Sequence, residues 1–241
     1  MRNKKDKLFF ILMLLTLILL ITTACEKDSP TYFDMRELIY GGESYAGDIP
    51  PYEGEIYTVL NDNIPYFTVK NLAYKSYEFY SPLDSFGRVG VCFSVIGKDL
   101  MPDDEREGIG MIKPSGWHTV RYDDIIEGKY LYNRCHLIGF QLTGENANEK
   151  NLMTGTRYFN VEGMLPFENM VASYVRKTDN HVFYRVTPVF EKSDLVAKGV
   201  ILEALSVEDN GEGISLNVFI HNIQPGVHID YSTGESRLIK E

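Results

Sequence analysis

The chain has 241 residues, with 24 basic and 34 acidic side chains and a formal net charge of −10. That length suits one domain of ordinary size plus an export segment better than two full domains, since domains run to roughly 100–200 residues. The acidic balance argues against a protein that packages nucleic acid, because a polyanion is repelled at long range.

The first element is a leader. Arg2, Lys4, Lys5 and Lys7 precede an apolar run from Leu8 to Ile21 broken only by Thr16, and Thr22, Thr23, Ala24 and Cys25 follow. Residues 1–25 therefore read as an export signal ending in a lipobox-like site with Cys25 as the lipidated residue. Thr22 stands where a leucine is usual. The alternative is an uncleaved membrane anchor, which is short against the ~20 residues a span needs. Either way the rest of the chain is expected outside the cytoplasm, anchored at the outer face of the membrane or secreted. Without residues 1–24 the chain keeps 20 basic against 33 acidic side chains, a balance of −13. With Cys25 lipidated, Cys92 and Cys135 remain, either as buried thiols or as a bridge that an oxidising compartment permits.

Residues 26–52 lack sustained periodicity and read as a tether whose outer half packs on the domain of residues 53–241. Ile56–Leu60 and Ile64–Val69 are apolar and β-rich, and Asn61-Asp62-Asn63 between them predicts a hairpin. Val89–Ile96 reads as a strand, and Lys113-Pro114-Ser115-Gly116-Trp117 as an ordered loop. A short β piece near Tyr130–Tyr132 leads into His136. Met164, Phe167, Val171, Tyr174 and Val175 recur at helical spacing, so a helix begins near Leu165 with Pro166 in its first turn. Val182–Val186, Val200–Val207 and Ile214–Ile223 read as strands, the last two joined through Asp209–Gly213. The expected class is α+β with an antiparallel sheet.

Phosphodiester hydrolysis needs a base for water, positive charge on the phosphate oxygens and help for the departing oxygen. His136 suits the first, because an imidazole is largely free to accept a proton near neutral pH. Asn160 offers a neutral amide oxygen of the kind magnesium accepts, leaving the ion's charge undiminished. Asn151 is a candidate for orienting the base or solvent, and Glu168 for holding water around the ion. Arg134 suits phosphate through its planar fork, and Arg106 is a second candidate phosphate contact. From Lys129 to Arg185 seven basic side chains face five acidic ones, so a small basic patch is expected on an acidic body. Cys135 beside His136 suggests a thiol nucleophile, but neighbours on an extended strand point to opposite faces. The sixteen tyrosines are scattered through strand-like segments, where packing is the expected use.

Asn133-Arg134-Cys135-His136 resembles the Asp-Arg-Gly-His motif of the DNA/RNA non-specific endonucleases, members of the ββα-metal nuclease superfamily. Asn151, Asn160 and Glu168 follow at that family's spacing. The runs Asn151–Arg157 and His181–Pro188 resemble exported DNases and DNA-entry nucleases of Gram-positive bacteria, and the similarity spans residues 56–235. The resemblance implies a ββα-metal core and a cofactor of Mg2+, with Mn2+ as the substitute. It also implies DNA as substrate, with RNA as a further one, cut with little sequence preference to give 5′-phosphate ends. By it His136 is the general base, Asn160 the metal ligand, Asn151 and Glu168 supporting residues and Arg134 a phosphate contact. Asn133 for aspartate and Cys135 for glycine depart from the motif. The alternative function is a catalytically silent surface lipoprotein that binds nucleic acid or a cell-wall partner.

Overall fold

A computed structural model describes residues 36, 38–40, 49–67 and 75–240. The leader, Cys25 and the end of the Ile64–Val69 run lie outside the described residues. Among the described residues, no helix is long and apolar enough to cross a membrane.

Six strands form the main sheet: β1 (Tyr57–Val59), β2 (Tyr77–Tyr80), β3 (Cys92–Ile96), β6 (Val182–Val189), β7 (Gly199–Ser206) and β8 (Ser215–His221). All neighbours are antiparallel, in the order β1-β8-β7-β6-β3-β2. The expected antiparallel α+β class is what the chain forms. A separate hairpin, β4 (Tyr132–His136) with β5 (Leu152–Thr156), pairs His136 with Leu152, and a four-residue helix α1 (Phe140–Thr143) lies in its connection. Next come a π-helix over Phe159–Met164 and the helix α2 (Leu165–Thr178), with Pro166 in its first turn. A small pair, β9 (Val227–Ile229) with β10 (Ser236–Leu238), closes the chain.

The inner strands β3, β6, β7 and β8 are largely buried on both faces, and alternation sorts their side chains. Cys92, Ile96, Tyr184, Val186, Leu202 and Val218 point into the main core, where they meet Phe167, Val171 and Val175 of α2 and Cys135 and Met153 of the hairpin. Phe93, Val95, Phe183 and Val207 point to the other face and are covered by Leu38 and Ile39. A third cluster of Ile126, Leu131, Tyr132, Val227 and Ile229 braces the loops beside β4.

One expected hairpin does not form. Tyr57–Val59 pairs with β8 instead, and Asn61, Asp62 and Asn63 make a single tight turn at positive φ. Side chains rather than a ladder then take up the backbone of residues 64–67. Asn217 Nδ2 donates to the Ile64 carbonyl, Glu203 accepts from the Tyr66 amide, and Arg185 donates to the Tyr66 carbonyl. The edge of β8 is already paired with β1, so the returning segment crosses over the sheet's face.

Candidate active site

The hairpin, the π-helix and α2 meet around a cleft of about 730 Å3. Tyr132, Arg134 and His136 alternate along β4 onto the cleft side, while Cys135 between them turns into the core. Thr156 ends β5 and caps the turn beyond it: its Oγ1 accepts from the Phe159 amide at 2.9 Å. The buried Asn222 holds the end of β5, accepting from the Thr156 amide and donating to the Thr154 carbonyl. The next turn is π, with the Leu165 amide reaching back to the Asn160 carbonyl. That wide turn, common at functional sites, sets Asn160 on the cleft wall. Glu168, in the first turn of α2, forms part of the wall beside it.

His136 is 7% exposed. Its Nε2 lies 2.9 Å from the Asn146 carbonyl, an acceptor only, so Nε2 carries the proton and donates. Nδ1 is therefore the basic nitrogen, and the Arg106 guanidinium stands 3.3 Å from it. Burial lowers the imidazole pKa to about 4, with the Asn146 carbonyl opposing and Arg106 assisting, which keeps the ring neutral near pH 7. The Glu168 carboxyl behaves oppositely: burial raises it to about 7, against the pull of Gln141 and Arg106. Gly139 makes room for it, since a Cβ there would lie 2.5 Å from Glu168 Oε2.

Asn151 does not reach the cleft. It is fully buried, and its amide is consumed by one neighbour, accepting from the Ile138 amide at 2.9 Å and donating to the Ile138 carbonyl at 3.0 Å. Its hold on the cleft runs through the backbone two residues after His136. Arg134 lines the cleft, but its fork is largely spent: Nε donates to the Ile112 carbonyl, Nη2 to the Gly110 carbonyl at 2.8 Å, and the guanidinium stacks on Trp117 at 4.0 Å. It anchors the 110–112 loop, which weakens the expectation of a phosphate contact. The thiol of Cys135 is fully buried and burial pushes its pKa up, so a cysteine nucleophile is excluded by the geometry. Cys92 and Cys135 are both free thiols. The expected basic patch also shrinks. Of its seven basic residues only Arg134 and Arg157 line the cleft, and Arg185 is buried on the far face of the sheet against Glu203.

A family model described as DNA/RNA non-specific endonuclease matches residues 70–208, more than half of the chain. The chain belongs to this family. A deoxyribonuclease of Streptococcus dysgalactiae subsp. equisimilis is 28% identical over 196 residues, covering 64% of this chain and 59% of that protein. The chain thus matches rather less than two thirds of the length of that relative. The structure of NucA from Streptococcus agalactiae with no metal bound is 27% identical with a TM-score of 0.66, covering 75% of this chain and 86% of that one. Its form with magnesium bound gives 26% and 0.65, covering 74% and 85%. The Sda1 nuclease with bound zinc gives 25% and 0.60, covering 78% and 98%.

For this member of the non-specific endonucleases, the donors in the cleft suit a hard divalent cation. Asn160 brings an amide oxygen and Glu168 a carboxylate for which Gly139 leaves space. Among the described residues no three His, Cys, Asp or Glu side chains gather into a metal cluster. An ion here would be held by few protein oxygens and would keep most of its water, as magnesium does. Among the cleft residues that the motif reading did not single out are Tyr130 and Arg157. Arg157 carried a signal, because it stands three residues before Asn160 and so near the same surface. Tyr130 carried none beyond its nearness to β4.

Proposed function

We propose that the protein is an exported, metal-dependent endonuclease that hydrolyses DNA, and RNA as a further substrate, with little sequence preference. The observation that supports this most is the neutral, inward-held imidazole of His136, whose basic Nδ1 borders the same cleft as Asn160 and Glu168. In this reading Nδ1 takes the proton from the attacking water. Asn146, through its carbonyl, fixes the ring and stabilises the imidazolium that forms. Arg106, an exposed side chain, turns its donors from Nδ1 to the phosphate oxygens. Water oxygen bonds to phosphorus as the bond to the 3′ oxygen breaks, leaving a 5′-phosphate. Asn160 would hold magnesium, or manganese in its place, with Glu168 orienting solvent around it. Such an ion supplies positive charge that polarises the phosphate and steadies the departing oxygen. The proposal extends to the N-terminus, where residues 1–25 direct export, Cys25 carries lipid, and the tether of residues 26–52 holds the domain of residues 53–241 at the membrane's outer face.

The test uses the full chain in mild detergent on supercoiled plasmid, with magnesium or with EDTA. Cleavage with the metal alone is expected, and His136→Ala should lower it about 10²–10⁴-fold while DNA binding persists. Intact plasmid under both conditions, from folded protein, would favour the silent surface lipoprotein. Undiminished cutting by the variant would move the base elsewhere.

A further inference from the structure

Three arginines border the cleft, and their forks are not equally committed. Arg134 is spent on two backbone carbonyls, and Arg106 faces His136. The guanidinium of Arg157 has no hydrogen bond or ion pair among the described residues, although the residue is half-buried and anchored by its amide to the Leu131 carbonyl at 2.8 Å. It lies beside the turn at Gly128, where a Cβ would come within 3.8 Å of its Nε. An arginine fork at a cleft wall that no protein acceptor takes up is placed to meet two oxygens of one phosphate.

That turn also carries Tyr130. Gly128 and Lys129 both hold positive φ, which folds the turn tightly and delivers Tyr130 to the cleft wall, 47% exposed. Its ring is not loose. Arg121 lies over it at 5.4 Å from the centroid, and Asp123 pins Arg121 with two hydrogen bonds of 3.0 and 2.9 Å. Below the turn, Ile126 and Leu131 are buried in the third core cluster, so the platform stands on a packed base. An exposed aromatic ring braced by a guanidinium, beside a free phosphate-binding fork, has the two parts a single nucleotide requires. Stacking takes the base and the fork takes its phosphate.

We propose that Tyr130 and Arg157 form a nucleotide subsite flanking the scissile phosphate, with a base stacked on Tyr130 and the adjoining phosphate on Arg157. This deepens the nuclease reading and rests on it. A base laid on Tyr130 has left its duplex, so the subsite selects single-stranded or locally unpaired strands.

The experiment is fluorescence anisotropy of a labelled single-stranded DNA oligonucleotide, and of the matching duplex, with the full chain in mild detergent and EDTA so that no strand is cut. Tyr130→Ala should weaken single-strand binding about fivefold or more while duplex binding changes less. Tyr130→Phe, which keeps the ring, should retain it, and Arg157→Ala should lower the slope of log affinity against log salt by about one phosphate contact. Equal binding by wild type and Tyr130→Ala, equal losses for the Ala and Phe variants, an unchanged salt slope, or no single-strand binding by the wild type would each overturn the proposal. A wild type that binds with this pattern yet leaves plasmid uncut in magnesium would remove the nuclease reading and keep the subsite.

Discussion

His136 is the residue whose surroundings decide most. Its folded pKa of about 4 lies below the ordinary 6.5. The unfolded chain therefore binds the proton first as pH falls, and the stability this group contributes is full above about 6.5 and is lost progressively toward about 4. Glu168 works the other way, because its folded value of about 7 exceeds the ordinary 4.5, so its cost to stability grows as pH rises through that interval. His136→Ala removes the first effect and keeps the second. Relative to wild type, the variant should gain stability between pH 7 and pH 5, read from urea unfolding at both. A difference between the two proteins that does not vary with pH would show that the imidazole is not held neutral by the fold.

At the scale of elements, the cleft depends on a hairpin, a π-turn and a helix meeting at close quarters. Gly139 sits where β4 has ended and α1 is about to begin, against the Glu168 carboxylate from α2. A methyl group 2.5 Å from that oxygen must displace it, and the neighbour to give way is the short Glu side chain at the cleft wall. Gly139→Ala should therefore lower plasmid cleavage about tenfold to a hundredfold, with more magnesium needed for half-maximal rate. Its far-UV circular dichroism should match wild type. The helical period of α2 and the Pro at its start were legible in Met164, Phe167, Val171 and Val175, because a repeating apolar face is a local property. The π-turn before it was not. Its wide hydrogen bond is stabilised by Thr156, Asn222 and β8 packing around it, with Gly163 fitting against Ile220, and most of these partners are remote in sequence.

Across the whole molecule, the face of the sheet away from the cleft is closed by an ion pair and a returning N-terminal segment. Arg185 and Glu203 oppose each other in the β6–β7 register, both about 4% exposed. Arg185 also donates to the carbonyls of Leu38 and Tyr66, joining residues outside the matched span 70–208 to β6 within it. Arg185→Ala leaves Glu203 buried without its partner and should destabilise the fold by about 3–5 kcal/mol, measured by urea unfolding. A loss below about 1 kcal/mol would mean that the segment does not depend on the pair. The principal strands, the long helix and the group His136, Asn160 and Glu168 could be read from the sequence, because period, turn chemistry and motif spacing are carried by residues close along the chain. The tertiary structure alone decided which side chains reach the cleft. Asn151 is turned inward onto Ile138, Arg134 is spent on a loop, Arg185 belongs to the opposite face, and Tyr130 and Arg157 arrive from a turn and a strand end. Such assignments depend on hydrogen-bond partners and packing between segments remote in sequence, which residue type and spacing do not encode.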